Sequence, residues 1–215
     1  MNQRHHVRIG LAGLAMAALT GTTLAAAPAT ATTAMTERAQ GDRSLATVLM
    51  MDKGFDRNWH DFDIVEKAVM KVLAAKPDSP VGVLADGSTR LTAFVPKDVA
   101  FLRLVRDLTG RTPKTERGTF RALLRVADVD TLEAVLLYHV VPGKTLRSGK
   151  VATLDGASLT TAGGGTITVR VRDGKVFLVD QDRNDRNPRV VVVDINKGNK
   201  QIGHGINRVL RPMDL

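Results

Sequence analysis

Cysteine is absent from this chain of 215 residues, and aromatic residues make up only 4% of it. Without thiols there is no disulfide framework, no thiolate chemistry and no cysteine-linked lipid anchor, so stability must come from a core of adequate size. Beyond Trp59 and Tyr138 there are six phenylalanines. That scarcity argues against a single-stranded nucleic-acid platform, which needs exposed rings for bases to stack on, and no specific nucleic-acid partner is expected. The core must instead be built from Val, Leu, Ile and Ala. Catalytic signatures are missing too. There is no G-x-S-x-G elbow, no H-E-x-x-H and no phosphate-cradling glycine loop, and Gly163-Gly164-Gly165 precedes no helical pattern and reads as a turn. No catalytic residue, metal ligand or cofactor is assigned, and an enzyme is not expected.

What is present is a globular balance, 43% apolar and 25% charged, with a formal net charge of +9. The N-terminus is organised as an export signal. Arg4, His5, His6 and Arg8 form a basic start, Ile9 to Leu19 is apolar, and a small-residue stretch contains the A-x-A site Ala29-Thr30-Ala31. The rival reading, a retained membrane anchor, fails because Thr20 to Thr23 interrupt the apolar run well short of the ~20 residues that a span needs. Residues 1–31 are therefore expected to be a cleaved signal peptide, residues 32–43 a flexible tail and residues 44–215 one domain, with no transmembrane span after processing. Cleavage removes Arg4 and Arg8 and no acid, leaving +7. A secreted protein this basic meets anionic partners, such as cell-wall polymer or acidic polysaccharide.

Periodicity then divides the chain. Ser44 is placed to cap a short helix through Met51, and the stripe Ile64, Val65, Ala68, Val69, Val72, Leu73 predicts a helix over 61–75 that stops at Lys76-Pro77. Leu91 to Val95 reads as a strand. Asp98 is expected to cap a helix that turns Phe101, Leu104, Val105 and Leu108 inward and ends at Gly110. A helix over 116–127 follows, and Asp130-Thr131-Leu132-Glu133 has the residue types of a capping box. After Pro142 the texture changes to strands. Thr166 to Arg172 alternates strictly, and Asp173-Gly174 then Lys175 to Val179 complete a hairpin signal, since that pair tolerates the positive φ of a type I′ turn. Two more strands are expected at 190–195 and 206–210. Helices first and strands second, with no repeat, predict an α+β domain.

Three segments resemble one family. Leu91-Thr92-Ala93-Phe94-Val95-Pro96-Lys97-Asp98-Val99-Ala100-Phe101 is similar to the first box of fasciclin-type domains, Leu136 to Gly143 to the histidine box, and His204 to Pro212 to the closing box. Asp194-Ile195 also sits where the family has an Asp-Ile step. The resemblance covers about Ser44 to Leu215. It departs at Lys200-Gln201-Ile202-Gly203, which replace Asn-Gly and two apolar residues, at Gly205, where valine or isoleucine is common, and at Asn207, a frequent aspartate. The resemblance implies a wedge-shaped β-sandwich with flanking helices. It also implies an extracellular adhesion or matrix-binding role, with protein or polymer partners.

Two candidate contact sites emerge. Tyr138-His139 is the pair that the resemblance associates with adhesion in animal members. Its apolar neighbours Leu136, Leu137, Val140 and Val141 favour a packed, hydrogen-bonded core role instead, and His204 reads the same way. Arg117, Arg121 and Arg125, spaced i, i+4, i+8, form one helical stripe beside Phe120, Leu123, Leu124 and Ala127. From Arg103 to Arg125 seven basic residues face only Asp107 and Glu116. A solvated face and an anion-binding surface are both open readings of that stripe. Asp180 to Asp185 opens like a calcium loop, but Asp185 stands where glycine is needed and Val191 where glutamate is needed, so a solvated turn is the better reading. The leading function is a secreted binding or adhesion module. A secreted small-ligand carrier or sensor is the alternative, and a hydrolase the least favoured.

Overall fold

The computed structural model describes residues 40–52 and 54–213. The expected signal peptide and most of the expected tail lie outside the described residues. Six helices and seven strands run in the order α1 (Leu45–Leu49), α2 (Asp63–Ala75), β1 (Leu91–Pro96), α3 (Asp98–Thr109), α4 (Glu116–Val126), α5 (Val129–Tyr138), β2 (Val140–Pro142), α6 (Ser148–Val151), β3 (Ser158–Thr160), β4 (Thr166–Arg172), β5 (Lys175–Val179), β6 (Val190–Ile195) and β7 (Gln201–Ile206), with a 3₁₀ helix at Pro80–Ala85. The domain is α+β.

The strands make two sheets, β2-β1-β7-β6 and β3-β4-β5, and β1 runs parallel to β7 while the other pairs are antiparallel. Every residue of β1 is buried. Alternation sends Leu91, Ala93 and Val95 into a core shared with α2, α3 and α5. Phe94 points the other way, into a second core with Tyr138, Val141, Ile167, Val169, Leu178 and Ile206. Apart from Thr92 the strand is apolar, because it has no solvent face.

Local signals land where expected in most places. The Ser44 hydroxyl accepts from Thr47 N, Gly110 closes α3 at φ 67°, and Asp173 and Gly174 take φ 51° and 69° in the β4–β5 turn.

Five expectations are corrected. Asp98 does not cap its own helix; its Oδ1 accepts from Ile64 N at 2.9 Å and so caps α2 from across the fold. Leu108 is 37% exposed rather than inward. The cap of α5 is Asp128, accepting from Thr131 N at 2.8 Å, while Glu133 of the expected box is drawn to Ser79 and Lys76. The last strand ends at Ile206 instead of beginning there. Residues 40–43, placed in the tail, are fastened to the β6–β7 turn: Gly41 N donates to Gly198 O at 2.9 Å, Lys200 N donates to Gly41 O at 2.9 Å, and Lys200 pairs with Asp42 at 2.7 Å.

The displaced strand has a packing explanation. β7 lies between β1 and β6 and is wholly buried, yet reads Gly-His-Gly in its middle. A Cβ on Gly205 would lie 2.9 Å from Val192 Cβ and 3.1 Å from Phe62 Cζ, and one on Gly203 3.1 Å from Leu45 Cδ1. The bulged β6 crosses too closely for side chains there. Gln201 fixes the start of the strand by accepting from Leu45 N at 2.7 Å and donating to Val83 O and Asp86 O, both at 2.7 Å.

Candidate functional site

The arginine stripe is built by α4. Thr115 caps the helix through Gly118 N at 3.0 Å, and Glu116, Thr119 and Leu123 turn inward. That rotation leaves Arg117, Arg121 and Arg125 exposed on the opposite face. The guanidinium of Arg117 lies 5.5 Å above the Phe55 ring. Among the described residues no ion pair engages Arg111, Lys114, Arg117, Arg121 or Arg125. The other two basic residues of the stretch are used internally: Arg103 donates to Asn207 O at 2.6 Å and Arg106 pairs with Asp107. Arg111 and Arg125 line one open groove of about 550 Å³ together with Thr112, Pro113, Ala122 and Val126.

Tyr138 and His139 are placed inside the fold, 1% and 4% exposed. The phenol donates to Thr166 O at 2.7 Å, and its ring lies so close to Gly165 that a Cβ there would sit 2.7 Å from Cε2. Burial pushes the phenol up to about 12. For His139 the protein fixes the tautomer. Leu210 N can only donate, and it reaches Nε2 at 2.9 Å, so the ring proton sits on Nδ1 and is given to Val135 O at 2.7 Å. The imidazole thus takes a carbonyl at the end of α5 and ties it to the closing segment. Burial holds it neutral, with its pKa pushed down to about 4. The two candidate sites are therefore not brought together, and the Tyr138-His139 pair offers a partner no surface in this conformation.

His204 is equally enclosed. Its Nε2 donates to Leu146 O at 2.7 Å, Asp194 N approaches Nδ1 at 3.4 Å, and burial lowers its pKa. With both ring nitrogens turned to the backbone, neither histidine is placed to act as a general base.

The Asp180–Asp185 stretch is neither a calcium loop nor a simple solvated turn. Arg211 reaches Asp182 at 2.9 Å, Asp107 at 3.2 Å and Asp185 at 3.3 Å, and Arg208 reaches Asp185 at 2.7 Å. Asp182 and Arg211 are both buried. The acids are taken by arginines of the closing segment, thirty residues away in sequence for Asp182 and Arg211 to within one.

A further acidic group escaped the sequence reading. Asp56, Asp61, Asp63, Asp98 and Glu116 converge where α2, α3 and α4 begin. They are scattered over sixty residues, and no motif spacing announces them.

An apolar crevice between α1, α2 and β1, lined by Leu45, Leu49, Val65, Val69 and Val95, encloses about 30 Å³. That is the share of one water molecule, far below the ~300 Å³ at which small-molecule pockets begin.

The architecture is a two-sheet α+β domain with a buried first-box strand and a histidine locking a helix to the closing segment. A profile of the Fasciclin domain matches residues 69–212, and the chain belongs to that family. Fasciclin domains are typically adhesion or binding modules. Protein sll1483 of Synechocystis sp. is 33% identical over 125 residues, covering 56% of this chain and 54% of that protein. The chain thus spans about half the length of the curated relative it matches. A solved fasciclin domain pair from the insect cell adhesion molecule Fasciclin I is similar at 18% identity and a TM-score of 0.49, covering 70% of this chain and 47% of that one.

Proposed function

We propose that this chain is an exported fasciclin-type binding module that takes anionic extracellular polymer, such as acidic polysaccharide or a teichoic-acid-like chain, on the exposed face of α4. The observation that carries this reading is a set of exposed cations: Arg117, Arg121 and Arg125 share one face of α4, Arg111 and Lys114 precede it in the chain, and among the described residues no ion pair engages any of the five. The groove at Arg111 and Arg125 adds apolar surface from Pro113 and Val126, on which a sugar ring packs. An exposed cation row on a chain whose formal charge is +7 after loss of Arg4 and Arg8 draws polyanions from a distance.

The test is a pull-down of purified protein with anionic and neutral polymers across a salt series. Binding should be confined to the anionic polymers and weaken steeply with salt, because exposed charges are screened over ~8 Å at physiological ionic strength. The triple change of Arg117, Arg121 and Arg125 to Gln should weaken it and leave the melting temperature unchanged. Binding that survives both high salt and the triple change refutes the electrostatic reading. Export itself predicts a form beginning near Thr32 in culture supernatant, read by mass spectrometry; recovery of only full-length protein in the membrane pellet would refute it. The small-ligand alternative draws no support from the 30 Å³ apolar crevice.

A further inference from the structure

Carboxylates gather where three helices start. Asp63 opens α2, Asp98 opens α3 and Glu116 opens α4, while Asp56 and Asp61 come from the loop before α2. Carboxylate oxygens of Asp61, Asp98 and Glu116 lie within 4.8 Å of one another, and so do those of Asp56, Asp61 and Asp63. Asp61 belongs to both sets.

Part of this group has local work. Asp98 Oδ1 accepts from Ile64 N at 2.9 Å, and Glu116 Oε2 accepts from Asp56 N at 2.7 Å, which ties the loop to α4. Asp56 Oδ1 accepts from Asn58 N, and the other buried oxygens have no such work. Both oxygens of Asp61 and of Asp63, Oδ2 of Asp98 and Oε1 of Glu116 are buried without a hydrogen-bond donor. Asp98 is 0% exposed, and Asp63 and Glu116 are each 1% exposed. A buried acid oxygen with no partner is costly, so a positive species is called for.

Among the described residues no lysine or arginine forms an ion pair with these carboxylates. Three helix starts offer roughly half a positive charge each, less than five carboxylates carry. Lys67 is held by Glu66 at 2.8 Å, and Arg117, next to Glu116, lies over the Phe55 ring. The acids around Arg208 and Arg211 make the contrast, since there each carboxylate meets a guanidinium. Burial, then the neighbouring acids Asp61, Asp52, Glu116 and Asp56, raise Asp63 to about 6. Burial and the adjoining Asp61 carboxyl raise Asp98 as well.

We propose that Asp61, Asp98 and Glu116, with Asp56 and Asp63 beside them, bind a hard divalent cation, and that the ion is calcium. All donors are carboxylate oxygens, which select hard ions over zinc or copper. Their origin in a loop and three helix starts suits the irregular six-to-eight-fold coordination of calcium better than the strict octahedron of magnesium. Asp61 and Asp52 also line an open groove of about 370 Å³ with Val48, Met51 and Phe62, which brings solvent to the edge of the cluster. The bound ion would clip the loop ahead of α2 to the starts of all three helices. This departs from the expectation, read from the sequence, that there is no metal site. The competing state has the acids sharing protons.

Trp59, the chain's only tryptophan, stands two residues before Asp61, and its carbonyl accepts from Val99 N at 3.0 Å. It makes terbium a direct probe. Terbium added to the purified protein should show emission excited through the indole, and calcium should displace it at least about tenfold more effectively than magnesium. Calcium at about a hundred times its Kd should raise the Tm by roughly 5–10 °C. Asp61→Asn and Glu116→Gln should each weaken calcium binding at least about tenfold. No backbone or cationic donor is lost with the Asp61 carboxylate, whose contact is with the Asp98 carboxyl, so its variant tests the site with little else dismantled. Absent indole-sensitised emission with a Tm indifferent to calcium would overturn the proposal in favour of shared protons. Variants that bind calcium as tightly as the parent would also overturn it, by placing the ion elsewhere, and equal displacement by magnesium would refute the choice of calcium. Should a variant fail to fold, the emission and Tm of the parent protein still decide.

Discussion

Replacing His139 by alanine removes the one side chain that joins the end of α5 to the closing segment. Two buried groups lose their partner together: Leu210 N, which donates to Nε2 at 2.9 Å, and Val135 O, which accepts from Nδ1 at 2.7 Å. Each unsatisfied buried group costs about 1–3 kcal/mol, and the space left by the ring adds a packing loss. The sum, about 3–6 kcal/mol, is a large share of the stability of an ordinary domain, about 5–15 kcal/mol. At roughly 2–4 °C per kcal/mol for a domain of this size, the Tm should fall by about 6–24 °C. Glutamine should rescue little, because its donor and acceptor sit at one end of a chain and cannot span two backbone groups on opposite sides of a ring. Calorimetry and urea denaturation measure the loss. Polymer binding by the folded fraction should persist, since His139 is remote from solvent. A variant melting within about 2 °C of the parent but unable to bind would refute the structural role and restore Tyr138-His139 as a contact site.

Three further outcomes are expected. The folded state holds His139 near 4 while the unfolded chain titrates near 6.5, so the unfolded state binds more protons in between; His139 stabilises fully above about 6.5, and about 3 kcal/mol is lost as pH falls towards 4. Half-buried Asp180, raised to about 6, works in the opposite direction, so the measurement is the stability gap between the parent and His139→Ala, which should narrow on acidification; a constant gap sinks the argument. Gly205→Val, which installs the residue type common in the family, should cost about 1–3 kcal/mol by denaturant titration, because Val192 and Phe62 occupy the space its side chain needs; a neutral result would mean that β6 can give way. Arg211→Ala should cost about 3–5 kcal/mol by leaving Asp182 buried and unpaired, with Arg211→Lys recovering only part, since an ammonium lacks the planar fork that reaches Asp182, Asp107 and Asp185; an unchanged denaturation midpoint in Arg211→Ala would refute it.

Local physics was legible in the sequence. The stripe of α2, the hairpin at Asp173-Gly174, the cap at Ser44 and the stop at Gly110 follow from periodicity and turn chemistry acting over a few residues, and they stand where those rules place them. The arginine row was legible for the same reason, because a spacing of four keeps three side chains on one face of a helix. The family boxes were legible because they are short and contiguous.

The tertiary structure decided whatever depends on a partner distant in the chain. Asp98 has the residue type of a local cap, but its carboxylate is taken by Ile64 N, thirty-four residues earlier in the chain. Gly203 and Gly205 look like turn residues until β1 and β6 enclose them, when only a chain without side chains fits. Asp182 reads as a solvated turn because Arg211 is not yet beside it. The acids Asp61, Asp98 and Glu116 carry no mutual spacing at all; their meeting is set by the packing of three helix ends, and electrostatics at 4.8 Å acts on distance in space, which separation along the chain does not encode.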